Sequence, residues 1–143
     1  MPAIYHNFKI AGKLGKVFKA ISRPKEIQHW WPIHSKGKAG YGEAYLFHFG
    51  PEYNWKGRVT KFIKNQSIEW VITEADEDWT DTTLSFELEK QGDIIHVSFC
   101  HEGWRAINDH FKISNYCWAQ YLRTLKRYVE LGEIVSYEDR GGS

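Results

Sequence analysis

An α+β fold is predicted for this chain. It is a curved antiparallel sheet of six strands wrapped on a long C-terminal helix, with two short helices between the first and second strands. Apolar residues alternate with period two at the start of the chain and again through most of 41–101. Apolar residues at spacings of three and four mark an amphipathic helix over about 108–131. Eight Phe, eight Tyr and seven Trp in 143 residues are enough to line a cavity between sheet and helix.

The elements follow in order. Residues 3–10 put Ile4, His6, Phe8 and Ile10 on one face of a strand. Residues 13–21 put Leu14, Val17, Phe18 and Ile21 on one face of a helix. Ser22 is placed to cap a second short helix entered through Pro24, which buries Ile27 and ends before Pro32. The stretch 35–40, Ser-Lys-Gly-Lys-Ala-Gly, reads as a polar loop. Strands follow near 41–49, 54–63, 67–74, 81–90 and 94–101. They are separated by Gly50-Pro51, Asn65-Gln66, the acidic turn Asp76-Glu77-Asp78 and a tight hairpin at Gly92-Asp93. One-sided alternation implies one wet face. The strand at 41–49 is the exception: Tyr45, Leu46, Phe47, His48 and Phe49 are large on both faces, so it is covered twice or offers a partner surface.

The closing helix carries Phe111, Ser114, Trp118, Tyr121, Leu122, Leu125 and Val129 in one stripe and stops at Gly132. One domain, residues 1–132, is predicted, followed by a polar, glycine-rich tail, 133–143, loose over Glu138–Ser143.

Composition excludes several classes. A formal net charge of +1, with no basic run beyond two residues, gives no field for nucleic acid. The N-terminus lacks a signal-peptide pattern, and no apolar run is long enough to enter and span a bilayer. A cytoplasmic location is expected. Cys100 and Cys117 read as reduced, half-buried thiols, or else as a disulfide between the last strand and the last helix. Seven histidines form no HExxH and the cysteines no CxxC, so neither a metal nor another cofactor is expected.

Candidate site residues come from the face assignments. Trp55, Trp70, Phe86 and Phe99 point inward from the sheet, and Trp118 and Tyr121 answer from the helix. Phe47 joins them if its strand turns that face inward. Each such aromatic is either plain core or cavity lining. Trp30-Trp31 either cover the mouth of the cavity, with Trp31 against the ligand, or plug one end of the core. His101 shares the inward face with Ile95, Val97 and Phe99. It is either a hydrogen-bonded core histidine or a group that orients a polar part of a ligand. No nucleophilic triad assembles, since Ser85 and Ser98 face outward and no Gly-x-Ser-x-Gly exists. Acid–base chemistry has only His101, with His6, to draw on, and Glu43 if the strand at 41–49 takes the matching register.

The chain resembles the SRPBCC (START-related, birch-pollen-allergen-like) superfamily. Within it, the chain is most similar to proteins like the C-terminal domain of the activator of heat-shock-protein-90 ATPase. The resemblance spans about 3–132 and is carried by Val17-Phe18-Lys19-Ala20-Ile21, Ile27-Gln28-His29-Trp30-Trp31, Gly57-Arg58-Val59, Ile68-Glu69-Trp70 and the closing-helix run from Asn115 to Gly132. That family usually has Gly-Trp at the start of the closing helix, where this chain has Cys117-Trp118. The resemblance implies a helix-grip fold with a cavity between sheet and helix. It implies relatives among lipid and small-molecule binders, polyketide cyclases and aromatases, and co-chaperone domains; fold alone does not choose among them. The leading expectation is a binder of a small hydrophobic or aromatic ligand, not an enzyme. A polyketide-cyclase-like or hydrolase-like catalyst using His101 is second. A chaperone-interacting module, with a chaperone or a second copy of the chain as partner, is ranked last, because the chain shows no counterpart of the N-terminal domain of eukaryotic activators.

Overall fold

The computed structural model describes residues 2–140. Strand β1 (Ala3–Ala11) leads into helices α1 (Leu14–Ser22) and α2 (Pro24–Ile27). Strands β2 (His34–Lys36), β3 (Ala44–His48), β4 (Asn54–Ile63), β5 (Ser67–Glu74), β6 (Thr83–Gln91) and β7 (Ile94–Glu102) follow. Helix α3 (Asp109–Leu131) and a short 3₁₀ turn (Tyr137–Asp139) complete the chain. All strands join one antiparallel sheet in the order β1-β7-β6-β5-β4-β3-β2. The sheet curves around α3, with α1 and α2 between the first two strands. This is the helix-grip arrangement.

The sheet has seven strands, one more than the alternation indicates. The extra one, β2, falls where a loop over 35–40 is predicted. Three residues are too few to display a period. They are held instead by pairing with β3 (Ser35 opposite Phe47) and by the Ser35 hydroxyl, which donates to the Pro24 carbonyl. Ser22 does not cap α2 either. It ends α1, its hydroxyl donating to the Phe18 carbonyl, and Arg23 precedes Pro24 at the first position of α2.

The ambiguous strand resolves on β3. Tyr45 and Phe47 are fully buried, and the Tyr45 hydroxyl donates to the Ser22 carbonyl. Leu46 and His48 are half-buried on the other side, so Phe47 joins the inward aromatics. Opposite Tyr45 lies Gly57 on β4. A Cβ at Gly57 would sit 3.2 Å from the Phe47 ring and 3.4 Å from the Ile72 δ-methyl. Glycine there lets the aromatic layer close on the sheet.

Helix α3 begins at Asn108, whose side chain accepts the Phe111 N–H, and ends at Gly132 in the left-handed region (φ 68°). It buries Ser114, Trp118, Leu122, Leu125 and Val129 against the sheet. Fully burying one aromatic removes about 150–250 Å² of surface, roughly 4–6 kcal/mol of transfer free energy. Trp30, Trp70, Trp104 and Trp118 are all essentially inaccessible, so the core is anchored by indoles.

Within the stretch predicted as a loose tail, Arg140 is buried, only 7% exposed, while Glu138 and Asp139 are exposed. Its guanidinium donates to the carbonyls of Pro32 (2.8 Å), Trp31 (3.4 Å) and Val135 (3.2 Å). A polar-looking segment is thus strapped to the α2–β2 connection by one buried cation whose Nε and Nη1 donate to backbone oxygens. Residues 141–143 of that tail lie outside the described residues. No helix among the described residues is long and apolar enough to cross a membrane.

Replacing Gly57 by Val overfills the space beside Phe47 and Ile72. Urea denaturation of Gly57→Val is expected to show a loss of about 1–3 kcal/mol.

Candidate ligand-binding cleft

A cleft of about 440 Å³ opens between α3, the β5–β6 turn, the β3–β4 turn and the C-terminal strap. Trp31, Trp55, Trp79 and Trp118 form its walls. Their rings pack on one another: Trp31 lies 4.9 Å from Trp118, Trp55 lies 4.9 Å from Trp79, and Trp79 stacks 5.8 Å from Trp118. Phe49, Tyr53, Ile113, Tyr121 and Tyr137 continue the apolar lining, while Asp76, His110, Ser114 and Cys117 contribute polar atoms.

Four of the predicted site residues line this cleft: Trp31, Trp55, Trp118 and Tyr121. The other five stand behind its walls as core. Phe47 lies 4.7 Å from the Trp31 ring, Phe99 lies 4.5 Å from Trp118, and Phe86 lies 5.1 Å from Phe99. Trp70 packs edge-on to Phe86, and His101 packs edge-on to Trp79. Trp30 is a plug: it is buried and its indole N–H donates to the Ala20 carbonyl. Trp31 is also buried, yet one part of its surface forms cleft wall.

His101 is wholly buried, and protein groups engage both of its ring nitrogens. The Trp118 indole N–H, a donor only, reaches Nδ1 at 3.1 Å, so Nδ1 accepts. The proton of the neutral ring therefore sits on Nε2 and is donated to the Thr82 hydroxyl at 2.8 Å. Thr82 in turn donates to the Trp79 carbonyl at 2.5 Å. Burial pushes the His101 pKa down to about 3, with nearby His110 adding to the shift. Both nitrogens are taken up by Trp118 and Thr82, and His101 is not among the residues that line the cleft. His6, the other half of the acid–base pair considered above, does not line the cleft, nor does Glu43.

The polar groups of the cleft lie elsewhere. The His110 Nδ1 lies 2.9 Å from the Asp78 carboxylate, and its Nε2 lies 3.6 Å from Asp76. Hydrogen bonds from His110 and Asn108 hold the Asp78 carboxyl below the usual carboxylate range. Asp76 also accepts the Trp79 N–H at 2.8 Å, a short-range side-chain-to-backbone bond that shapes the turn. Trp79 carries no periodic signal because it sits in that turn, which explains why strand alternation does not reveal it. His110 is legible in retrospect: it precedes Ser114, Cys117, Trp118 and Tyr121 on one face of α3, so extending the apolar stripe by one turn reaches it. Tyr137 could be placed only by the strap.

Cys100 and Cys117 form no disulfide, and burial pushes the Cys100 thiol up to about 11. Among the described residues, no three His, Cys, Asp or Glu side chains gather as a metal site.

The family model described as activator of Hsp90 ATPase homolog 1-like protein matches residues 13–130. The chain belongs to this family. Among solved structures, the Aha1 dimer from Colwellia psychrerythraea is 28% identical with a TM-score of 0.84, covering 93% of this chain and 99% of that one. Protein MLL2253 from Mesorhizobium loti is 14% identical (TM-score 0.80, covering 93% and 100%). CalU16 from Micromonospora echinospora is likewise 14% identical (TM-score 0.73, covering 91% and 77%). The last two share the fold alone. No curated protein matches the chain. The family match and the likeness to the Colwellia structure favour the Aha1-type reading over the small-ligand reading, reversing the order the sequence suggests.

The burial of His101 has a measurable consequence. The folded ring takes up its proton only near pH 3, whereas the unfolded ring takes it up near 6.5. Between those values unfolding binds a proton, so stability falls as the pH falls. Chemical denaturation across that window is expected to show this slope, and His101→Gln, which keeps a donor and an acceptor but cannot titrate, is expected to flatten it.

Proposed function

We propose that the protein works by binding, as an Aha1-like module whose partner is an Hsp90-class ATPase. The observation that carries this is family membership over 13–130, together with the likeness to the Colwellia Aha1 structure along nearly the whole of both chains. The apolar residues exposed at the cleft mouth supply a contact surface. Tyr53 is 53% exposed and Ile113 46%, and Tyr116, one turn beyond Ile113 on α3, is 60% exposed. Exposed apolar residues grouped at one place suit a protein partner. The Colwellia structure is of a dimer, so a second copy of the chain is a further partner of the same kind.

A specific observation favours a second reading, that the cleft takes a small hydrophobic or aromatic molecule. Its volume of about 440 Å³ and its wall of indoles match the size and lining of small-molecule sites. The two readings are compatible, because a ligand in the cleft would lie under a partner docked across its mouth.

Adding the protein to a purified Hsp90-class chaperone is expected to raise its ATPase turnover. Ile113→Asp, a change at a half-exposed position, is expected to abolish that rise without lowering the thermal midpoint. No change in turnover and no association by sedimentation would remove the partner reading. Native mass spectrometry of freshly purified protein, followed by denaturing extraction, tests the second reading: a co-purifying aromatic or lipid-like molecule supports it. An apo mass unshifted by a library of such compounds leaves the indoles as core alone.

A further inference from the structure

We infer that the cleft is built for an amine, namely a small molecule with an apolar or aromatic body and a primary or secondary ammonium group held between Asp76 and His110. The inference rests on the cleft being a ligand site and names the chemistry that site selects.

The geometry starts from His110. A carboxylate only accepts, so the hydrogen bond between Asp78 and the His110 Nδ1 fixes the proton of the neutral ring on Nδ1. The Nε2 is then a lone pair, 3.6 Å from an oxygen of Asp76. Both residues belong to the cleft lining. Two acceptors at that separation, with no donor between them in the neutral ring, match one nitrogen that carries two N–H bonds. A protonated amine supplies both and adds a charge-assisted bond to the carboxylate. An alcohol has a single proton to give, and a carboxylic acid in its ionised form has none and would meet Asp76 as a like charge.

The walls point the same way. The cleft lining holds one carboxylate, Asp76, and no Lys or Arg. Half-buried Trp55 gives an apolar body its contacts in a lining that also includes the buried Trp31, Trp79 and Trp118, and an electron-rich indole favours a nearby cation. One oxygen of Asp76 accepts the Trp79 N–H, which orients the carboxylate, while the side chain stays 37% exposed. Asp78 does not line the cleft. It acts through His110 as a positioning residue.

Titration calorimetry and amide NMR with 2-phenylethylamine, 2-phenylethanol and 3-phenylpropionate test this directly. The amine is expected to bind about tenfold tighter than the alcohol, the worth of one charge-assisted bond, and the carboxylate weakest. In Asp76→Asn, which retains an oxygen to accept the Trp79 N–H, the amine is expected to fall to the level of the alcohol with an unchanged thermal midpoint. Indole N–H shifts of Trp55, Trp79 and Trp118 locate the binding. Equal affinity for all the probes would overturn the amine inference and leave the cleft a ligand site. An amine preference that survives Asp76→Asn would overturn it as well. No shifts with any probe would remove the cleft reading itself.

Discussion

One closed chain of hydrogen bonds governs the site. It leaves α3 at the Trp118 indole, enters the sheet at His101, passes to Thr82 and ends on the Trp79 carbonyl. The Trp79 indole N–H then returns to α3 by donating to the Ser114 hydroxyl at 3.2 Å. Every participant is buried, so each bond replaces an otherwise costly desolvated group. The chain fixes how the helix, strand β7 and the β5–β6 turn sit together, and thereby where the indole walls of the cleft stand. A neutral imidazole suits this role because one ring nitrogen must accept while the other must donate.

The same turn carries the second half of the site. Thr82 and Trp79 belong to the buried loop of bonds, whereas Asp78, a few residues earlier, holds His110, and Asp76 lines the cleft beside that ring. A dry framework and a wet polar edge are thus joined within one short segment. The C-terminal strap completes the enclosure. Arg140 fastens it to the Trp31 and Pro32 carbonyls, and Tyr137, with its hydroxyl 3.4 Å from that of Tyr121, closes one side.

Much of the fold was legible because its elements are periodic. The run from Thr83 to Gln91 alternates cleanly, and the α3 stripe from Ser114 to Val129 repeats at helical spacing. Strand β2 was not legible, since Ser35 is held by pairing and by the Pro24 carbonyl, neither of which leaves a local pattern. Period two correctly sent Phe86, Phe99 and His101 inward, but inward is not the same as cavity-facing. Telling wall from backing layer needs the third dimension: Phe99 lies 4.5 Å from the Trp118 ring, and only Trp118 is part of the cleft lining. Trp79, Asp76 and Tyr137 were hidden for the opposite reason. They lie in a turn and a strap, where side-chain direction follows from local hydrogen bonds and from a single buried arginine rather than from repetition.

The most direct test is the tautomer and exchange behaviour of His101, read by long-range ¹H–¹⁵N correlation at neutral pH. A ring protonated on Nε2 alone, with Nδ1 shifted as a hydrogen-bonded acceptor and the Trp118 indole proton slow to exchange, is the predicted result. A proton on Nδ1, or an imidazole averaging between tautomers beside a rapidly exchanging Trp118, would contradict the framework on which the cleft depends.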